Sequence, residues 1–173
     1  MRLPEKYENE MKDLLQEEYE AYKESLGLPI QQGYRINTGK ISKEEWEKIA
    51  PFSAKEVPWI ENGYFLLDDF RASRHPYYFA GLYYLQEPSA MTPANRLNVE
   101  PGDFVLDLCA APGGKATELG SRLKGKGMLV ANDISNSRAK ALLKNLELAG
   151  IANLYVTSEE PAKLCQNFPE FFD

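Results

Sequence analysis

The sequence is poor in the residues that build metal sites and disulfide frameworks. It has two cysteines, Cys109 and Cys165, and one histidine, His75, in 173 residues. The cysteines share no metal-type spacing, which argues against a stapled scaffold and a zinc cluster and fits a reducing cytoplasm. No run of 18 apolar residues occurs, so no transmembrane helix is expected. The first 25 residues are dense in charge, which excludes a secretory signal. There is no internal repeat and no low-complexity segment. Two familiar phosphate-binding patterns, GxGxxG and GxxxxGK[ST], are also missing, which disfavours a nicotinamide dinucleotide and an ATPase.

An excess of positive charge is lacking too. Net charge is -6, which argues against holding nucleic acid by bulk charge. The charge is uneven, however. Residues 1–30 hold eight acids against four bases, whereas residues 71–98 hold one acid, Glu87, against Arg71, Arg74 and Arg96. The basic stretch also carries Tyr77, Tyr78, Phe79, Tyr83 and Tyr84.

What is present falls into two patterns. Up to about residue 70 the chain reads as a small α+β unit. Tyr7, Met11, Leu14, Leu15, Tyr22 and Leu26 recur at helical spacing from near Pro4, and Gly27 and Pro29 end that helix. GYRINT is a strand. Ser42 and Glu45 predict a capping box for SKEEWEKIA. An extended stretch follows from about Glu56 to Leu67, with Pro58 confining part of it to an edge. Residues 71–100 connect this unit to the next, with helical character around Tyr77 to Leu85. From residue 101, strands and helices alternate. FVLDLCA is apolar enough to be buried on both faces, as in a parallel sheet. The helix GGKATELGSRLKG, closed by Gly125, leads to the strand GMLVAND. A helix that Ser135 can cap, ending at Gly150, leads to the strand NLYVTS. This is βαβαβ, the first half of a doubly wound α/β domain.

In such a sheet, ligands bind beyond the carboxyl ends of the strands. The stretch DLCAAPGGKA (residues 107–116) therefore holds the candidate site. Gly113 and Gly114 let a bound molecule press on the backbone, and the following helix N-terminus favours negative charge. Asp133, ending the second strand, can accept hydrogen bonds from both ribose hydroxyls of a nucleoside, with Ile134 against its base. Ser158, Glu159 and Glu160 end the third strand, where they can meet the base edge or the ligand's amine. Two other readings stay open: a tight glycine turn, and Asp133 as a plain helix-entry acid.

DLCAAPGGKA resembles the cofactor motif of the Sun/Fmu family of RNA cytosine-5 methyltransferases. YYLQEPSAM (residues 83–91), GYRINTGKIS and VPWIENGYFLL resemble further stretches of that family, in the layout of its bacterial RsmF-like members acting on 16S rRNA. The resemblance covers nearly the whole chain. It implies a partial Rossmann-like SAM-dependent methyltransferase sheet preceded by a small α+β N-terminal domain, with S-adenosyl-L-methionine (SAM) as cofactor and RNA as partner. It carries cofactor binding onto Cys109, Ala110, Ala111, Pro112, Gly113, Gly114, Lys115 and Asp133, and onto Glu160 at the family's third-strand acidic position. In this family a cysteine thiolate attacks C6 of an unstacked cytosine, C5 takes the methyl group, and a second cysteine assists release. Those cysteines lie in motifs on the fourth and fifth strands, and neither motif is in this chain.

Accordingly, no catalytic residue and no metal ligand is assigned. Cys109 has small apolar neighbours and no base to activate it. Cys165 reads as a buried apolar residue on an amphipathic segment. His75, before Pro76, reads as structural rather than as a general base. Lys115, Arg71, Arg74 and the tyrosines could hold RNA. For the tyrosines the other reading is packing between the two units. The chain ends at FPEFFD, before a fourth strand. The expectation is an N-terminal fragment whose FVLDLCA strand has one unpaired edge, open to self-association. The alternative function is a non-catalytic SAM-fold module that binds RNA or a protein.

Overall fold

A computed structural model describes residues 3–67 and 71–173. They form two compact units that divide between Ile30 and Gln31. The boundary expected at residue 70 falls outside the described residues.

The first unit is a helical hairpin. Helix α1 (Glu5–Leu15) starts one residue after Pro4, and a 3-10 turn (Gln16–Glu18) leads to α2 (Tyr19–Ser25). The single helix expected here is broken at Gln16, which takes a left-handed φ of 47°. The break lets Tyr19 become buried and donate its hydroxyl to Glu8, while Lys23 pairs with Glu8 at 3.2 Å. Helical periodicity alone does not register such a reversal, because both halves keep the same spacing.

The second unit begins with an antiparallel sheet of order β2-β3-β1-β4, made of β1 (Gly33–Ile36), β2 (Ala54–Glu56), β3 (Gly63–Leu66) and β4 (Tyr83–Leu85). Helix α3 (Lys43–Ile49) follows β1, and both capping-box hydrogen bonds between Ser42 and Glu45 are present. Of the extended stretch expected over residues 56–67, Gly63–Leu66 is strand β3, but residues 57–62 form a reversal between β2 and β3. Val57 and Gly63 share a backbone hydrogen bond across it, and burying Val57 and Ile60 drives the turn. The helix expected to reach Leu85 stops early. Helix α4 (Pro76–Phe79) ends before Gly81, and residues 83–85 pair with β1, which would otherwise show an open edge. His75 accepts the amide of Tyr77 at the start of α4, a structural role.

Aromatic rings fill this sheet's core. Tyr34 is stacked on Tyr64 at 5.2 Å and meets Trp46, Phe52 and Tyr83 edge-on. Tyr83 thus packs inside this core, whereas Phe79 stays 63% exposed.

A 3-10 turn (Ser89–Met91) and α5 (Thr92–Arg96) lead to a parallel sheet of order β5-β6-β7, made of β5 (Phe104–Asp107), β6 (Met128–Asn132) and β7 (Leu154–Thr157). Helices α6 (Gly114–Leu123) and α7 (Asn136–Ala149) are the crossovers, and α8 (Pro161–Asn167) follows β7. The result is a partial Rossmann-like α/β sheet after an α+β segment. The strand buried on both faces is β6, with Leu129, Val130 and Ala131 fully buried, and not β5, whose Phe104, Val105 and Leu106 are half-buried. Among the described residues β5 pairs on one side only. Its other edge meets the chain's own end: Phe104 donates to the Asp173 carboxylate and accepts from the Asp173 amide, and Phe171 stacks on Phe104 at 5.0 Å.

Two smaller expectations are corrected. Cys165 is exposed, because α8 has seven residues and buries only Leu164. Ser135 stands at the N-cap of α7 but its side chain makes no cap bond. Its hydroxyl lies 3.0 Å from that of Ser137, and its amide donates to Asp133. No helix of the described residues is long and apolar enough to cross a membrane.

Candidate functional site

The site is assembled where β5 and β6 end. After Asp107 the chain leaves the sheet through Leu108 and Cys109, both exposed. The Ala110 amide donates to Asn132 at the end of β6, so the turn stays tied to the sheet. Ala110 and Ala111 are buried, Pro112 is exposed, and the Ala111–Pro112 peptide is cis. Gly113 has φ 118°, a value that favours glycine, and sits at the N-cap of α6. A Cβ on Gly114 would lie 2.8 Å from the Gln86 side-chain nitrogen. Helix α7 fastens the turn from behind: Arg138 donates to the carbonyl of Ala111 at 2.9 Å and Asn145 to that of Pro112 at 2.7 Å. Lys115, in the first turn of α6, reaches back to the carbonyl of Cys109 at 3.5 Å.

Asp133 follows β6 directly and is 2% exposed. One carboxylate oxygen accepts the Ser135 amide. The other forms an ion pair with Arg138 at 3.4 Å and is buried without a hydrogen bond. Ile134 beside it is 66% exposed. Cys109 to Lys115 and Asp133 therefore stand at the carboxyl ends of adjacent strands. Glu160 lies past the end of β7, exposed, at the N-cap of α8, and its side chain makes no cap bond. Its neighbour Glu159 is anchored instead, by its backbone to Asn132 and by its carboxylate to Lys163. Ser158 donates to the carbonyl of Ile134.

Three residues at this site escape the sequence reading. Asn132 spans all three strand ends, donating to the carbonyls of Leu108 and Glu159 and accepting from Thr157 and the Glu159 amide. Arg138 has no sequence signal, since it reads as a solvated helix base. Asp107 was visible as a charge inside an apolar strand. It is 6% exposed, with one oxygen unpartnered. Burial pushes its carboxyl above the ordinary range and the nearby Asp133 adds to this, against the pull of Lys115 and the Cys109 amide.

That shift has a sign. A carboxyl whose folded pKa is raised binds its proton more tightly in the fold than in the unfolded chain. The charged form therefore weakens the fold as pH rises from the ordinary aspartate value through the raised one. Asp107→Asn is expected to raise the urea midpoint at pH 7. The gain over the parent should shrink as the pH is lowered toward 4. A lower midpoint at pH 7 would show that the carboxylate is satisfied.

A parallel sheet with a glycine turn after its first strand and a buried acid after its second belongs to the Rossmann-like class of nucleotide-binding α/β folds. Residues 3–88 match the family described as the N-terminal domain of 16S rRNA methyltransferase RsmF, and residues 94–173 match 16S rRNA methyltransferase RsmB/F. The chain belongs to this RsmF-like family. It is 32% identical to ribosomal RNA small subunit methyltransferase F of Pectobacterium atrosepticum, over 99% of this chain and 38% of that protein. It is 36% identical to the protein of that name from Shewanella amazonensis, over 76% and 30%. The chain thus spans less than two fifths of the length of these relatives. A crystal structure of a methyltransferase homolog protein from Pyrococcus horikoshii superimposes with a TM-score of 0.86 at 28% identity, covering 95% of this chain and 55% of that one. The fold alone is shared with NSun6 of the same organism, with a TM-score of 0.80 at 19% identity, covering 94% and 67%.

Proposed function

We propose that this chain is the cofactor-binding part of a SAM-dependent RNA cytosine-5 methyltransferase acting on 16S rRNA in the cytoplasm. The observation that carries the reading is Asp133, a buried carboxylate beside the glycine turn, with one oxygen that is ion-paired with Arg138 but makes no hydrogen bond. A ribose diol supplies a donor for it. Cys109, Ala110, Ala111, Pro112, Gly113, Gly114 and Lys115 form the other wall, Glu160 completes the third strand's contribution, and the unpartnered Asp107 oxygen suits the ligand's amine. SAM supplies the methyl group. The chain's own residues bind and orient it, and none of them attacks the cytosine. Residues 1–70, with Arg71, Arg74 and the exposed Phe79, are assigned to RNA, by phosphate contact and stacking.

Titration calorimetry with SAM tests this. The chain should bind, and Asp133→Asn should weaken binding about tenfold or more, since a charge-assisted hydrogen bond is lost while the acceptor for Ser135 is kept. Unchanged affinity removes Asp133 from the ribose role. RNA binding with no SAM binding favours a non-catalytic module. The one-sided pairing of β5 supports a second reading, self-association through the Leu106 edge next to the Asp173 contact. Light scattering should show dimers at high concentration. A monomer throughout defeats that reading.

A further inference from the structure

Arg35 lies in β1 of the antiparallel sheet, far in sequence from the turn, yet it is 3% exposed and directed at α6. Its neighbours Tyr34 and Ile36 face the aromatic core, so strand alternation sends Arg35 to the opposite face. There it forms an ion pair with Glu118 and donates to the carbonyl of Gly114 at 3.0 Å and to the Thr117 hydroxyl at 2.8 Å. The Thr117 hydroxyl in turn donates to the carbonyl of Gly113 at 2.8 Å. Glu118 is held from two further sides, by Asn62 at 3.1 Å and Arg122 at 2.9 Å. Burial opposes its charge, but Arg35, Asn62 and Arg122 together keep its carboxyl below the ordinary range.

We propose that Arg35 is a positioning residue for the cofactor turn, holding the carbonyl of Gly114 directly and that of Gly113 through Thr117, so that the turn is set before SAM arrives. The proposal rests on the SAM reading above. Fold stability by itself does not account for the arrangement. A buried ion pair is often no more stable than an apolar pair of the same volume, so its value lies in the geometry it imposes. The geometry here is specific. Two of the three groups that Arg35 binds belong to the first turn of α6, and both lead to the glycines. The sheet that carries Arg35 is thereby coupled to the cofactor turn.

The test uses the whole chain and four variants. Arg35→Lys keeps a charge for Glu118 but cannot span Gly114 and Thr117 together. Thr117→Val removes the hydroxyl and leaves the ion pair, which covers the case in which Arg35→Lys does not fold. Thr117→Ser restores the hydroxyl. Val130→Ala opens a cavity at a fully buried position of β6, outside the hydrogen-bond network of Arg35 and Thr117. Amide hydrogen exchange of residues 113–118 and SAM affinity are compared at equal distance from each variant's own melting temperature. Arg35→Lys and Thr117→Val should speed exchange and weaken SAM about tenfold, with Thr117→Ser returning both to the parent values and Val130→Ala changing neither. Equal acceleration in Val130→Ala would overturn the proposal by making Arg35 merely structural. Faster exchange with unchanged SAM affinity would overturn the link to the cofactor. If the parent chain binds no SAM, the SAM reading fails, and the exchange pattern alone decides whether Arg35 sets the turn.

Discussion

Trp46→Ala is expected to cost about 3–5 kcal/mol, a large share of the stability of a domain this size. Trp46 is 1% exposed and packs on Tyr34, Phe52, Tyr77 and Tyr83, with ring centroids 5.4–6.2 Å apart. Its indole N–H donates to the Tyr34 hydroxyl at 3.1 Å. Alanine would leave a cavity among rings too rigid to close it, and an orphaned hydroxyl. Trp46→Phe keeps most of the packing and loses the hydrogen bond, so its cost should be near 1–2 kcal/mol. Urea midpoints of the three proteins decide this, and equal midpoints for Ala and Phe would defeat the packing argument.

Gly81→Ala should be of similar size for a different reason. An added Cβ would lie 2.0 Å from the carbonyl oxygen and 2.8 Å from the carbonyl carbon of Leu148, backbone atoms near the end of α7. That carbonyl also accepts Lys40, and Asn37 donates to the carbonyls of Gly81 and Ala149, so the contact is fixed from several sides. The φ of 67° adds about 1 kcal/mol of strain. A total above roughly 3 kcal/mol is expected. Gly102→Ala serves as the contrast: its φ is also positive, at 123°, but nothing lies within 4 Å of an added Cβ. It should cost only the backbone strain. Equal losses of melting temperature in the two variants would rule out the close approach as the cause.

These contacts explain why GYRINTGKIS matters beyond its strand. Arg35, Asn37 and Lys40 reach α6, the end of α7 and the loop at Gly81. Each is a polar side chain bonded to backbone or charge distant in sequence. No local propensity announces such partners. The same holds for the ring cluster. Tyr83 sits in a stretch expected to be helical around Tyr77 to Leu85, but it pairs with β1, in keeping with the strand preference of aromatic residues and with the cost of an open edge next to an apolar core. The reversal at Val57 to Asn62 and the break at Gln16 arise in the same way, from burial that only the packed chain provides.

The sequence by itself determined the alternation of strands and helices from Phe104 on and the capping box at Ser42. It also determined the glycine turn and the acid after the second strand of the parallel sheet. Each of these is a short-range pattern, set by period, by φ or by a side chain's reach to its own backbone. Tertiary structure alone decided that β6 lies between β5 and β7, that Asn132 ties the three strand ends, and that Asp107 and Asp133 each keep a buried oxygen without a hydrogen bond. It alone directed Arg35 onto the glycine turn and α6. Burial and hydrogen-bond satisfaction depend on which distant residues arrive at a place, and that is fixed only when the sheets and helices pack.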